Sequence, residues 1–119
     1  MLLVVSGAAS AEWTAVIEAD EFIYYVDRTT IRRNGNFVKM WSLADFNKAE
    51  VINGKSNLSE RSQYEYDWKE ERMRTLALTT FSGQMGSGTV IYNDSDTEKW
   101  MPVGPGSVAE IVWKIACGK

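Results

Sequence analysis

Strict alternation of polar and apolar side chains in residues 63–68 is the feature that most restricts how this chain can fold. The apolar members are Tyr64, Tyr66 and Trp68, and the polar members are Gln63, Glu65 and Asp67. Successive side chains of a strand point to opposite faces of a sheet, so one face of this segment is expected to be buried. The alternation predicts a half-buried strand of an antiparallel sheet.

Further strands are indicated where β-prone residues lie between turn signals. They are expected at 13–18, 22–27, 37–46, 72–81 and 89–92. The first two of these surround Asp20-Glu21 and are predicted to form a hairpin. Because segment 37–46 has apolar residues on both faces, we expect it to occupy a central position in the sheet.

The connections between these segments are polar. Asn34-Gly35 is a strong reversal signal, and Lys69-Glu70-Glu71 is predicted to turn the chain between two strands. Asp27 to Thr30 is interpreted as a capped turn, and Asn47 to Ser59 is polar enough to be a long loop.

The last element is predicted to be a helix from Ser107 to Cys117. Its apolar residues recur at helical spacing, at Val108, Ile111, Val112 and Ile115. Ser107 and Glu110 form a capping box, and Gly118 is a helix-stopping residue. We therefore expect an α+β fold: an antiparallel β-sheet of about six strands with a C-terminal amphipathic helix packed on one face.

Residues 12–119 are expected to form one domain. The chain has 119 residues, of which 45% are hydrophobic and 24% charged, and these values are typical of a soluble globular protein. No repeat or low-complexity linker interrupts the segment.

Residues 1–11 are interpreted as the end of a secretory signal peptide. They are mostly apolar and end in Ala9-Ser10-Ala11, which fits cleavage between Ala11 and Glu12. A charged start is missing, so we expect the true start to lie upstream. The structural alternative is an N-terminal core strand. No lipid-attachment cysteine follows the segment, and export to the periplasm or the cell surface is predicted.

Missing residue types exclude several kinds of enzyme. The chain has no histidine and one cysteine, Cys117, which leaves no histidine-based catalytic triad and no ordinary zinc site. Its net charge of −3 gives no general attraction for nucleic acid. No catalytic residue, cofactor or metal site is predicted.

A carboxylate-based hydrolase is the enzymatic alternative that remains. The candidate pairs are Glu70 with Glu71 and Asp94 with Asp96. Neighbouring residues of a strand point to opposite faces, and acidic clusters beside Gly, Ser and Asn are usually solvated turns. Asp94-Ser95-Asp96 also lacks the spaced ligands of an EF-hand loop. The sequence therefore favours a non-enzymatic protein.

Binding residues are expected among the arginines, lysines and aromatic residues. The candidate ligand-binding residues are Arg32, Arg33, Lys39, Lys69 and Arg72, which lie near two turns and could hold a polyanion. Interleaved glutamates favour a salt-paired surface instead. The five tryptophans could form a stacking platform, but such residues more often form the core.

An ordered set of short motifs resembles the surface-adhesin protein E family from about residue 12 to 117. The motifs are Tyr24-Tyr25-Val26-Asp27, residues 30–36, residues 62–67, residues 69–72, residues 85–88, and Pro105 to Trp113 followed by Cys117. The resemblance implies an α+β fold and an exported envelope protein of a Gram-negative bacterium. It also implies relation to an adhesin for host matrix proteins.

The sequence departs from the family pattern at two points. The family has a cysteine where this chain has Trp68, and in relatives it would pair with the position of Cys117. Cys117 is therefore expected to be a free thiol or an intermolecular link. Loss of such a disulfide removes about 4 kcal/mol in the chain-entropy model, and we expect burial of Trp68 against the helix to offset part of it. The second departure is the missing lipid anchor of the adhesin member.

Two functional hypotheses follow. The first is a non-enzymatic, adhesin-like domain of an exported envelope protein, with a host matrix protein or an envelope component as partner. An open strand edge could also pair two copies into a homodimer. The alternative is a soluble periplasmic structural or stress-related protein without an external ligand.

Overall fold

The computed structural model describes residues 11–119, in which seven strands precede one helix. Most of the predicted signal segment, residues 1–10, lies outside the described residues, and its interpretation stays a prediction. The strands are β1 Thr14–Glu18, β2 Phe22–Asn34, β3 Phe37–Ile52, β4 Lys55–Asp67, β5 Arg72–Phe81, β6 Val90–Asp94 and β7 Met101–Pro102. The helix α1 is Val108–Cys117.

The strands form one antiparallel meander. Strands β1 to β6 are neighbours in chain order, and the two-residue strand β7 pairs with β5. Strand β3 pairs with β2 on one side and β4 on the other, which confirms its predicted central position. The predicted hairpin of the first two strands is also present.

The predicted long loop from Asn47 to Ser59 is wrong. Strands β3 and β4 continue through this segment and meet at a tight turn at Asn53-Gly54. Both turn residues have positive φ, 51° and 77°, as a type I′ hairpin turn requires. The polar side chains misled the prediction because residues 47–56, around the turn, are exposed to water on both faces of the hairpin, and the polar Asn57 and Ser59 are nevertheless buried.

The predicted capped turn at Asp27 to Thr30 is instead a bulge inside β2. The pairing register with β3 shifts between Asp27 and Arg32, and β2 continues to Asn34. The Asp27 side chain does cap the local backbone, because its Oδ1 accepts the Thr29 N–H at 3.0 Å. The capping residue was therefore recognised correctly, but the chain does not reverse there.

Helix α1 begins and ends as predicted. Ser107 Oγ accepts the Glu110 N–H at 3.2 Å, and the Glu110 carboxylate accepts the Gly106 N–H at 3.0 Å. Gly118 ends the helix in the left-handed conformation, at φ 72°. Among the described residues, no helix is long and apolar enough to cross a membrane.

The core lies between α1 and one face of the sheet. Sheet residues Val26, Val38, Met40 and Tyr66 pack against Val112, Trp113, Ala116 and Cys117 of the helix. The helix has 10 residues and is about 15 Å long, whereas β3 has 16 residues at about 3.3 Å each. The helix therefore covers only part of one face, and the opposite face carries no α-helix within the described chain. The predicted α+β class is confirmed.

Candidate functional site

A groove crosses the sheet face opposite the helix. We call it the open-face groove; its volume is about 670 Å³, and it is lined by Ala11, Trp13, Asp27, Thr29, Thr30, Arg32, Trp41, Leu43, Arg61, Met85 and Gly86. Strand pairing brings several of these together, since Asp27 pairs with Trp41 and Leu43 pairs with Arg61. The volume is within the range of small-molecule and peptide side-chain sites.

The bulge in β2 forms one wall of the groove. Thr29 Oγ1 donates to Asp27 Oδ1 at 2.5 Å, and Thr30 Oγ1 donates to the Asp27 carbonyl at 2.6 Å. Thr30 Oγ1 also accepts the Trp41 N–H at 3.0 Å, which ties the bulge to β3. Hydrogen bonds from side chains of the bulge's own residues thus fix its geometry at this wall.

The opposite wall is the short 3-10 turn Gln84–Gly86. Ser59 Oγ donates to the Gly83 carbonyl at 2.6 Å and accepts the Gly86 N–H at 2.9 Å. Asp45 Oδ1 accepts the Met85 N–H at 2.7 Å. Met85 itself has a φ of 55° and is 42% exposed. Hydrogen bonds from the sheet therefore hold the turn in place, and the flexible apolar side chain of Met85 lies at the rim of the groove.

Arg61 is the cation of the groove that is free to bind an anion. Its guanidinium carbon lies 5.7 Å from the Trp41 ring centre and 5.1 Å from the Phe81 ring centre. No carboxylate of the described residues forms a salt bridge with it. A planar guanidinium held over aromatic faces keeps its N–H groups available for carboxylate, sulfate or phosphate oxygens.

Arg32, a predicted ligand-binding residue, lies on the same groove. Its Nη1 donates to the carbonyls of Thr29 and Ile31 at 2.9 and 2.8 Å, which fixes the side chain along the bulge. Lys39 pairs with Arg32 in the sheet and is exposed on the same face. Two of the five predicted residues therefore lie together on the open face.

The other three predicted residues lie elsewhere. Arg72 Nε is 3.0 Å from Asp67 Oδ2 in a salt bridge, and its guanidinium lies 4.6 Å from the Trp100 ring centre. Lys69 is exposed in the turn between β4 and β5. Arg33 lies on the helix side, close to Gly118. The sequence did not show that Trp13, Trp41 and Arg61 would join Arg32, since they are far apart along the chain.

A second cleft lies on the helix side, beyond the start of α1. We call it the helix-side cleft; its volume is about 330 Å³, and it is lined by Phe22, Tyr24, Ser42, Ala44, Phe46, Glu50, Glu60, Ser62, Tyr64 and Val108. Burial, and to a lesser degree Glu50, raises the pKa of the Glu60 carboxyl.

The carboxylate pair of this cleft is Glu50 and Glu60, and it differs from the two pairs named from the sequence. Glu70 and Glu71 are exposed in a turn. Asp94 Oδ1 accepts the Asp96 N–H at 2.9 Å, as in a solvated Asx turn.

Cys117 is a free and buried cysteine, 7% exposed. Burial raises the pKa of its thiol to about 11, although Arg33 and Lys119 oppose the shift. The thiolate is the reactive form, so a thiol in this environment is inert at neutral pH. Within the described part of the chain, no group of three His, Cys, Asp or Glu residues is arranged to hold a metal ion.

The expected burial of Trp68 against the helix is only partial. Trp68 is 37% exposed, and the ammonium of Lys119 lies 4.9 Å from its ring centre and 5.0 Å from that of Trp113. The buried tryptophan is Trp113, which is 5% exposed and donates from Nε1 to the Asp67 carbonyl at 3.0 Å. Trp113 therefore fastens the helix to the end of β4.

These features define an α+β protein with a basic and aromatic groove on its uncovered sheet face. Comparison with family models identifies the family: the model of surface-adhesin protein E matches residues 13–118, and the chain belongs to this family. The family is a class of surface adhesins and not of enzymes. Among curated proteins, none gives a significant sequence match.

Solved structures with the same fold come from Haemophilus influenzae. Crystal form II of protein E from this organism has a TM-score of 0.66 and 11% identity, over 88% of this chain and 96% of that one. Protein E from non-typeable Haemophilus influenzae has a TM-score of 0.62 and 12% identity, over 92% of this chain and 86% of that one. At this identity the likeness shows the fold, so the properties of the groove are read from this chain's own residues.

Proposed function

We propose that this protein is an exported, adhesin-like envelope protein that binds an anionic segment of a host matrix or envelope component in the open-face groove. The observation that carries this proposal is the guanidinium of Arg61, which lies over Trp41 and Phe81 and has no salt bridge to any residue of the described chain. Arg32 adds a second cation to the same groove. Membership of a surface-adhesin family supports a binding role.

The groove favours a flexible anionic chain over a compact ion. Its cations lie on β2 and β4, on either side of Trp41, and Met85 adds an adaptable apolar contact at the rim. Sulfated polysaccharides and acidic peptides supply repeated anionic groups with apolar stretches between them. Attraction of this kind weakens as salt screens the charges.

The binding test compares two arginine variants with the same change of charge. Arg61→Gln removes the groove cation, and Arg33→Gln removes an exposed arginine on the helix side. With heparin as the probe, we expect Arg61→Gln to weaken binding at least tenfold and Arg33→Gln to leave it within about twofold, since one charged contact contributes about 1.5–3 kcal/mol. Equal effects of the two variants, or no binding by the wild type, would contradict the proposed groove.

The location test is protease shaving of intact cells, with a periplasmic protein followed as the control. Degradation of this protein while the control survives supports exposure on the surface. Survival of both until the outer membrane is opened contradicts the adhesin role, and the periplasmic structural or stress-related role then replaces it.

We also propose a homodimer paired through β6, the last strand of the meander. Its outward edge is unpaired within the described chain, and Val90 and Tyr92 are 53% and 50% exposed. An open edge with apolar side chains is a template for pairing with a second copy.

A further inference from the structure

Asp27 is a buried carboxylate that lacks a cationic partner among the described residues. It is 3% exposed, and neither salt bridge of the described chain includes it. Burial by itself raises the pKa of this carboxyl, but hydrogen bonds from Thr29 and from the Glu12 N–H outweigh burial and hold the pKa below 3.8. Asp27 is therefore charged at neutral pH, and a buried charge without a counter-ion is costly.

The group facing the second carboxylate oxygen is the backbone nitrogen of Glu12. Oδ1 is occupied by the Thr29 N–H and hydroxyl, whereas among the described residues Oδ2 accepts only the Glu12 N–H, at 3.0 Å. Glu12 precedes β1 and is exposed, as is Ala11 before it. This one peptide nitrogen thus lies against a buried charge, while the two residues that form the preceding bond are exposed.

We propose that the Ala11–Glu12 peptide bond is cleaved during export and that the new α-ammonium of Glu12 is the counter-ion of Asp27. In this hydrolysis one water is consumed, Ala11 leaves with a new carboxylate, and the Glu12 nitrogen gains protons to become an ammonium. A signal peptidase of the exporting cell is the catalyst. The position of the bond agrees with the Ala9-Ser10-Ala11 sequence that precedes it.

Cleavage changes both Asp27 and the groove. A neutral N–H donor at 3.0 Å becomes a charged donor at the same place, and charge-assisted hydrogen bonds are roughly twice as strong. Ala11 lines the open-face groove, so its removal opens that end. Arg32 and Arg61 line the same groove without pairing with Asp27, and the new ammonium neutralises the Asp27 carboxylate in its wall. Maturation therefore removes a negative charge that would repel an anion from the groove.

This inference rests on the export part of the proposed function and is independent of ligand binding. Its test is the melting temperature of a chain that starts at Glu12, compared with the same chain preceded by Ser10-Ala11. At about pH 6 we expect the Glu12 chain to melt roughly 4 °C higher. The difference should vanish at about pH 10, where the ammonium is lost, and in the Asp27→Asn background. A difference of equal size in that background would overturn the proposal.

A second comparison avoids the risk that Asp27→Asn fails to fold. Acetylation of the Glu12 amino group keeps an N–H donor but removes the charge. The acetylated chain should therefore have the same melting temperature as the extended chain. Identical melting of the free and acetylated chains would overturn the ion pair. Mass spectrometry of the protein isolated from cells gives the processed end, and a first residue other than Glu12 would overturn the cleavage site.

Discussion

At the scale of single residues, two kinds of buried carboxyl group stand out in this molecule. Asp27 and Asp67 are almost fully buried, and both accept backbone N–H groups that fix local chain geometry. Glu60 is partly buried and lies beside a second acid, Glu50. Stability should therefore respond to pH in opposite directions at these two kinds of site.

We expect Asp67→Asn to lower the free energy of unfolding by about 2 kcal/mol at neutral pH, since charged hydrogen bonds contribute about 1.5–3 kcal/mol. Burial raises the pKa of Asp67, but hydrogen bonds from the Glu70 N–H, Arg72 and the Lys69 N–H outweigh it and hold the pKa below 3.8. A group whose pKa is lowered by folding stabilises the folded protein at any pH above its pKa in the unfolded chain. This contribution is lost as the pH falls through the pKa of the folded protein.

Urea unfolding between neutral pH and about pH 3 checks this prediction, with the exposed Asp96→Asn as the control. The difference between wild type and Asp67→Asn should shrink toward acid pH, and Asp96→Asn should have little effect throughout. A difference for Asp67→Asn that does not depend on pH would show that the carboxylate charge is unimportant.

Glu60→Gln should act in the opposite direction and stabilise the protein at neutral pH. Burial, and then Glu50, raise the pKa of the Glu60 carboxyl above its ordinary pKa of 4.5. The stability that protonated Glu60 contributes is therefore complete below pH 4.5 and is lost as the pH rises through the raised pKa of the folded protein. Thermal unfolding of both proteins at about pH 4 and pH 7 measures the gain. Glu98→Gln, at an exposed position, is the control, and destabilisation by Glu60→Gln at neutral pH contradicts the reasoning.

At the scale of elements, Trp113 joins the helix to the sheet both by packing in the core and by a buried hydrogen bond to Asp67. We expect Trp113→Ala to cost about 3–5 kcal/mol, because it empties a buried volume and leaves the Asp67 carbonyl without its donor. Trp68→Ala should cost less, roughly 1–2 kcal/mol, because more than a third of that side chain is already exposed.

Denaturant unfolding of both tryptophan variants separates the two contributions. If Trp68→Ala leaves the stability unchanged, Trp68 offsets nothing of the missing disulfide. If it costs as much as Trp113→Ala, the helix end is held through both rings, which the Lys119 ammonium contacts at 4.9 and 5.0 Å.

At the scale of the whole molecule, the proposed β6 dimer predicts a concentration-dependent mass. Val90→Lys places a charge on the β6 edge and should weaken self-association at least tenfold, since lysine on an edge strand opposes pairing. Val51→Lys, at a 69% exposed position near the tip of β3, is the control. Sedimentation equilibrium checks both, and a monomeric wild type at all concentrations, or equal effects of the two variants, contradicts the dimer.

The whole fold was largely predictable, and the groove was not. Alternation, Asn34-Gly35 and the Ser107–Glu110 box are local signals, so the strands, a turn and the helix could be placed from neighbouring residues. The segment from Asn47 to Ser59 was misjudged because its residues are polar, and residues 47–56 are exposed on both faces of the hairpin, as in a loop. Arg72 and Arg61 look alike in the sequence, yet one is paired with Asp67 and the other is not.

The sequence by itself determined the fold class, the family and the absence of histidine chemistry, because residue types and short-range spacing are sufficient for each. Tertiary structure alone decided which cations are free, which tryptophan is buried and what Asp27 contacts. Those properties depend on residues far apart in the chain, such as Asp27 and Glu12 or Trp113 and Asp67. The register of the sheet and the packing of the helix bring these residues together, and no local pattern encodes such distances.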